Sequence, residues 1–569
     1  MVTPTPRAPR LLLLEAAAGR GLFARGGRPA TDLLGLAVVS LCFFFVALGA
    51  RDLWNPNEPV YGRAVVEMEE NGSWTIPTVN GRVFAEKPIL YFWAARAASS
   101  VLGGVDELSL RVPSALSAIA SVLLTYLLVL PYVGRRRALW ASALFATLYQ
   151  VFWAARAVQM DILVLISTLG VVLPLTRRMD FGLRPARAWA WAGLAAGLGF
   201  AAKGPVSLVL PAIVIAGYAL ARGKLRILVE PQMLIGVAVA VAAGSPWFIL
   251  LWLDGETAFL YEVLWRQNFQ RFVNAWDHDQ PWWYFLEYLW LDYAPWAWLL
   301  PAAWFLAPKD EGERRLHRLS WIWIAGIVVF FSLSDSKRAP YILPVAPAVA
   351  VLAAAVVDRW VAGRLENKSR VAAIVALALL ATLLLVGGIG VLVAPLEIPP
   401  ALVSVASVVG ALLAVTGAFT VFGILRRKRF PRLAPSALLA GVTALFLVAA
   451  VWALPATDPL KSARVFSETM NVRVGDGTLA SFGLWDWRSG YSYYADRSID
   501  SLEDETELRR FWEETEKPFV LVEDRHVDVV SALPDAELVE QRRIGSRTAS
   551  LFTRSVVDTG LSRDEPSAE

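Results

Sequence analysis

The sequence predicts a polytopic α-helical membrane protein of about 13 transmembrane helices, followed by a small soluble α/β domain. Three observations predict it. Apolar runs recur from residue 34 to residue 455, and most approach the roughly 20 residues that a helical span needs. Of 569 residues, 56% are hydrophobic and only 18% charged, against about 25% charged in a soluble domain. Clusters of Lys and Arg follow alternate runs, the pattern by which membrane topology is set.

The elements follow in order. An N-terminal tail, 1–33, contains Arg7, Arg10, Arg20, Arg25 and Arg28. The first run, 34–50, holds the single cysteine, Cys42. One cysteine excludes an intrachain disulfide and a Cys-based metal centre. No small-residue cleavage site directly follows this run, so it reads as a retained anchor. Further runs fall near 108–132, 138–154, 157–176, 188–202, 206–221, 232–252, 292–307, 318–333, 341–358, 371–395, 401–425 and 434–455. Basic clusters begin at Arg135, Arg177, Arg222, Lys309, Arg359 and Arg426, after even-numbered runs. The positive-inside rule puts those clusters and the N-terminus in the cytoplasm and the C-terminal region outside. The location expected is the bacterial inner membrane.

Two outer loops, 51–107 and 253–291, are long, aromatic and mixed in charge. In the first, Val60, Tyr61, Ala64, Val65 and Met68 recur at helical spacing opposite Arg63, Glu67 and Glu70. Pro88 opens a second helix, 89–100. Both fit short helices lying in the membrane plane. The 24 Trp suit membrane interfaces. From 456 the composition turns soluble: TLASFGLW, KPFVLVED, LVEQRRI and ASLFTR read as strands and LEDETELRRFWEETE as a helix. A net charge of +4 gives no support to nucleic-acid binding. Residues 34–455 thus form the membrane domain and 456–569 an extracytoplasmic domain.

Ionisable groups at a membrane boundary are expensive and mark functional candidates. Glu58 stands in N-P-N-E-P after the first run; it also suits a first-turn carboxylate favoured by the helix dipole. Lys87, in Glu86–Lys87–Pro88, can bind a phosphate as a point charge, or pair locally with Glu86. Asp161 opens an apolar helix and needs a partner, for which Arg156 is the local candidate. Lys203 sits at a Gly204–Pro205 turn; it can meet an anion or snorkel to headgroups. The loop 261–285 holds Arg266, Arg271, Asp277, His278 and Asp279. A lone Asp-His-Asp is a weak metal signal. Lys337 and Tyr341 lie at the next outer turn.

Together these residues make a pattern: W-x-P-[DN]-E-x-x-Y, G-x-W-x-x-P-x-x-x-G, F-x-E-K-P-x-x-Y-W, M-D, K-G-P, R-F-…-H-…-P-W-W-Y-[FY] and S-x-S-x-x-P-Y-x-L-P. The chain resembles the lipid-linked-sugar glycosyltransferases of the aminoarabinose transferase and protein O-mannosyltransferase type, from about 50 to 350. The resemblance implies the GT-C fold, a polyprenyl-phosphate-linked sugar donor, and a lipid, glycan or protein acceptor on the outer face. It implies that Lys87 and Lys203 hold the donor phosphate, with Arg271, Lys337, Tyr341 and Tyr61 as further substrate contacts. Glu86 and His278 match positions near a divalent ion in some members. Asp161, Glu58 and Asn57 are the candidate catalytic residues. One departure stands out: the family's Asp-Glu pair is here Asn57-Glu58, and an amide cannot take a proton at neutral pH. Either Asp161 or Glu58 then supplies the carboxylate, or the acceptor is already anionic, or the chain has lost activity.

Two other readings compete. A transporter or lipid flippase would place charges near the bilayer midplane and show repeated halves; neither is visible. A binding protein that kept the fold and lost its base is suggested by Asn57.

Overall fold

The structure, a computed structural model, describes residues 29–263, 280–395, 397–484 and 490–555. It divides into two compact units. The first comprises residues 1–51, 73–77 and 84–456; the second comprises 52–72, 78–83 and 457–569.

The first unit is helical. Helix α1 (Pro29–Phe45) belongs to it, as do the later helices of the membrane region. In chain order these include α3 (Leu90–Leu102), α4 (Glu107–Val133), α5 (Arg135–Ala146), α6 (Tyr149–Ala155), α7 (Asp161–Phe181), α8 (Pro185–Lys203), α9 (Val206–Ala221) and α10 (Met233–Gly244). Helix α2 (Asn57–Glu70) falls in the second unit. Among the described residues six helices are long and apolar enough to cross a membrane, or eight segments if two bent pairs each count once. The expected run 138–154 is one such pair, α5 and α6, bent by 65°. The run 232–252 is the other, bent by 53° where Pro246 opens a new helix. The run 292–307 is not one helix. Pro295 has no N–H to continue one, and the segment forms a 3₁₀ turn, Trp296–Leu299, and a five-residue helix, Leu300–Trp304.

Small residues let α8 and α10 approach closely. A Cβ on Gly193 would lie 2.1 Å from the Gly236 carbonyl oxygen, and one on Gly197 2.4 Å from that of Ala240. Such glycines four apart are a common device for packing helices in membranes. Three arginines fasten the C-terminal end of α1. Arg156 donates to the carbonyls of Phe44 and Ala47, Arg111 to those of Leu48 and Arg51, and Arg51 to that of Arg156. Arg156 is therefore engaged with α1; the partner found for Asp161 is a different residue.

In the second unit a five-stranded sheet runs β4–β3–β5–β7–β6, formed by β3 (Thr478–Phe482), β4 (Asp500–Leu502), β5 (Pro518–Glu523), β6 (Ala536–Ile544) and β7 (Arg547–Arg554). Strands β3, β4 and β5 are parallel; β5, β7 and β6 pair antiparallel. Strand β5 is covered on both faces, since Leu521 joins one apolar cluster while Val520 and Val522 join the other. That burial explains its near-continuous apolar run. Asp504 caps the helix Glu505–Glu514, accepting from the N–H groups of Thr506 (2.8 Å) and Glu507 (2.9 Å). A two-stranded ribbon, β1 (Thr78–Val79) and β2 (Arg82–Val83), has Arg82 and Val83 in this unit as well.

Helix α2 does not have the exposure of a helix lying on a membrane. Such a helix keeps its charged face in water. Here Arg63 and Glu67 are buried against each other at 2.9 Å, along with Glu58, Val60, Tyr61, Ala64, Val65 and Met68. Helix α3 begins at Leu90, close to the position that Pro88 predicts.

Candidate active site

The helical hairpin α7–α8 brings two distant charges together. Asp161 is the first residue of α7 and Lys203 the last of α8. Three residues join the helices at the opposite end, and the helices are 21 and 19 residues long, about 30 Å each. Their free ends must therefore meet. Each charge also stands at the helix end its sign favours: the carboxylate at an N-terminus, the ammonium at a C-terminus. Gly204 turns the chain out of α8 at φ 73°, where a glycine is at ease.

The Lys203 ammonium donates to Asp161 Oδ1. Gln159 donates to the other oxygen, Oδ2, at 3.2 Å. The carboxylate is thus held by one ion pair and one amide. Lys203 also stands 5.3 Å over the Tyr341 ring, a cation–π contact.

Around this pair is a cavity of 130 Å³ lined by charged groups and apolar walls. Glu86, Lys87, Asp161, Lys203, Ser336 and Tyr341 supply the polar lining, and Val164, Leu210 and Phe331 part of the apolar one. The structure so brings together five of the residues singled out in the sequence. Lys87 lies 3.9 Å from the Glu86 carboxylate and 3.3 Å from the Glu86 carbonyl, a loose local pair. Lys337 is buried beside the cavity's wall residues in sequence, and its ammonium donates to the Gln280 carbonyl at 2.7 Å.

Sequence reasoning missed two polar residues here. Gln159 gives no signal, being an uncharged residue in a turn. Ser336 is 97% buried and its hydroxyl finds no partner, although Oγ of nearby Ser334 donates to the Ser336 carbonyl at 3.4 Å. A buried hydroxyl without a partner, in the lining of a charged cavity, is a ready hydrogen-bond group for a ligand.

Asn57, Glu58 and Tyr61 lie on α2 in the second unit. Glu58 is buried in the first turn and accepts the Trp54 N–H at 3.1 Å. That is the work of a helix N-terminal carboxylate. Asn57 is half-buried at the helix start.

Arg271 and His278 lie outside the described residues. Among the described residues no three His, Cys, Asp or Glu side chains gather as a metal would need. Glu86 is one carboxylate, held near a lysine.

Comparison with known proteins adds to this geometry. Residues 86–252 match the family described as Dolichyl-phosphate-mannose-protein mannosyltransferase. That stretch carries Glu86, Lys87, Asp161 and Lys203. The chain is 31% identical over 337 residues to an undecaprenyl phosphate-alpha-4-amino-4-deoxy-L-arabinose arabinosyl transferase of Pseudomonas fluorescens, covering 57% of this chain and 58% of the relative. A transferase of the same name from Aeromonas salmonicida is 30% identical over 364 residues, covering 62% of this chain and 65% of the relative. The chain thus matches less than two thirds of the length of these curated relatives. In structure it is similar to ArnT from Cupriavidus metallidurans bound to undecaprenyl phosphate, with a TM-score of 0.74 at 20% identity, covering 93% of this chain and 98% of that one. In sequence and in fold, the chain resembles the aminoarabinose transferase and protein O-mannosyltransferase type of GT-C protein, as its motifs implied.

Proposed function

We propose that this chain is a membrane glycosyltransferase that moves a sugar from a polyprenyl-phosphate donor to a lipid, glycan or protein acceptor on the outer face of the inner membrane. Its relatives' names carry 4-amino-4-deoxy-L-arabinose on undecaprenyl phosphate, and that is the first donor to try. The observation that carries the reading is the cavity that gathers Lys87, Lys203, Asp161, Ser336 and Tyr341 within apolar walls. A span count of 13, a cytoplasmic N-terminus and an extracytoplasmic C-terminal region belong to the same proposal.

The chemistry follows from the charges. Breaking the bond between sugar C1 and the phosphate oxygen leaves the bond's electron pair on that oxygen. Lys87 and Lys203 are cations that already line the cavity, so they stand ready to meet this charge as it forms. Losing one such group typically costs about 3 kcal/mol of barrier. Lys203 has three N–H donors, so it can keep Asp161 while one donor turns to the phosphate. Asp161 is the carboxylate nearest this chemistry and the candidate base for an acceptor hydroxyl. The proton would move from that hydroxyl to Asp161 as the acceptor oxygen attacks C1, worth about 10²–10⁴-fold in rate. The divalent ion that the resemblance implies would draw on Glu86 and His278; chelation followed by metal add-back tests it.

The experiment is direct. Purified full-length protein in nanodiscs is given labelled undecaprenyl-phosphate aminoarabinose and a membrane extract as acceptor source. Release of undecaprenyl phosphate with labelled product supports the reading. Donor binding without release would favour a binding protein, and neither would sink the proposal.

A further inference from the structure

The second unit joins stretches far apart in the chain, and the joint lies at the first outer motif. Residues 52–54 lead into α2 outside any helix or strand, with one isolated antiparallel bridge from Trp54 to Ser462. Each of their N–H groups is taken by a side chain. That of Asp52 goes to Asp458 Oδ2 at 3.0 Å, 406 residues away. That of Leu53 goes to the Tyr494 hydroxyl at 2.6 Å, and that of Trp54 to Glu58 at 3.1 Å. The Trp54 indole donates to the other Asp458 oxygen at 2.7 Å. Arg464 pairs with Asp52 at 3.0 Å and stacks over Tyr494 at 4.8 Å.

The packing is as close as the bonding. A Cβ on Gly490 would lie 2.1 Å from the Asn55 side-chain oxygen and 2.8 Å from Pro59. One on Gly62 would lie 2.8 Å from the Tyr493 ring. Along α2, Arg63 reaches Ser498 at 3.3 Å, and the Asn80 side chain accepts the Ile499 N–H at 3.4 Å. A polar segment is only as fixed as the bonds that take its backbone groups. Most of those bonds come from residues 458–499.

We infer that the C-terminal stretch positions the first outer motif, with Asp458 and Tyr494 as positioning residues that hold Asn57 and Glu58 in one conformation. This rests on the proposed transferase reading for its kinetic consequence and stands apart from it in its structural one. Neither residue needs to touch substrate. The resemblance makes Asn57 and Glu58 catalytic candidates, and displacing such groups by an ångström can cost about 100-fold in rate, so a loosened motif should fail in turnover and leave donor binding intact.

The test uses full-length Asp458→Ala, Asp458→Asn and Tyr494→Phe proteins, with Lys517→Ala as a control in the same unit. Amide exchange across 52–62 should speed by about tenfold in the Ala and Phe variants, the effect of one lost hydrogen bond. Exchange in β3, β5 and α4 should stay as in the wild type. The kcat for transfer should fall by about 100-fold at most, with KM for the donor within about twofold. Asp458→Asn, which keeps one acceptor oxygen, should recover part of both losses. Unchanged exchange across 52–62 overturns the inference. So does equal acceleration in β3 and β5, which would mean general packing, and so does faster exchange with kcat intact. A wild type without transferase activity sinks the proposed function alone, because the exchange arm still decides this one.

Discussion

The charged cavity and the first motif are both made of residues that sequence reading assigned to one site, yet they are built in different ways. The cavity joins ends of neighbouring helices. Asp161 and Lys203 meet because α7 and α8 form a hairpin of matched lengths, and the family match at 86–252 spans both. The motif at 52–58 is held by side chains more than 400 residues away. The cavity is lined by two lysines, two carboxylates and one hydroxyl without a partner. In the motif the N–H groups of residues 52–54 are all taken. On the proposed function one region binds the donor and the other is held in place, so damage should read differently in each.

The largest effect should come from the ion pair. Asp161 and Lys203 are 15% and 19% exposed in their side chains. Removing one partner strands the other in an apolar wall, a loss of about 3 kcal/mol in stability. Lys203→Ala should lower both the melting temperature and transfer, the latter by about 10²-fold or more. The double variant Asp161→Asn/Lys203→Met leaves no stranded charge. It should regain most of the stability and none of the activity. A double variant with restored transfer would show that the pair only holds the helices together.

Glu67 is the matching probe in the second unit. Its carboxylate accepts from Arg63 at 2.9 Å and from the N–H groups of Asn80 (2.7 Å) and Gly81 (3.2 Å), and it is 97% buried. Glu67→Ala should destabilise this unit by about 2–4 kcal/mol, by leaving Arg63 without its closest partner. Donor affinity should stay put. A drop in donor affinity with unchanged melting would erase the contrast between the regions.

What the sequence made legible divides along the same line. Charges at the ends of apolar helices are conspicuous, so Lys87, Asp161 and Lys203 stand out by their position along the chain. Their pairing does not. Arg156 stands nearer to Asp161 in sequence than Lys203, but its guanidinium goes to the carbonyls that end α1. Membrane helices were legible where the apolar run was unbroken. They were not where Pro246 and Pro295 divide a run that composition alone reads as continuous. Strand β4 was missed because it is three residues long and polar at its start. Membership of 52–72 in the second unit could not be read at all, since nothing local marks a contact across the whole chain.

Ser336 offers a smaller and sharper test of the cavity. Its hydroxyl has no partner, so Ser336→Ala removes an orphan and should leave melting unchanged or slightly higher. If the hydroxyl serves the donor, affinity for undecaprenyl phosphate should fall by about three- to tenfold, the range of one hydrogen bond. Titration of the labelled lipid into nanodiscs reads this directly. Equal affinity in wild type and variant would remove Ser336 from the ligand contacts and leave the lysines to act alone.

The smallest effect is expected at the outer surface of the second unit, where Lys517 meets Asp476 at 2.9 Å with side chains 52% and 83% exposed. The Lys517 ammonium holds the Asp476 carboxyl below its usual range, and the carboxylate raises the lysine in turn. The signs fix the window. A depressed carboxyl contributes stability above its unfolded pKa of about 3.9 and loses it as pH falls through the folded value. A raised amine contributes below about 10.4 and loses it as pH rises through the folded value. Between those limits the pair's contribution is flat. Exposed pairs are screened by salt and add little, so Lys517→Ala should melt with the wild type at pH 7 in about 0.15 M salt. A difference should show only in acid or strong base, and should shrink as salt is raised. A clear loss at pH 7 would mean that this surface matters as much as the side facing residues 52–58, and the contrast between a bonded motif and an inert outer face would fail.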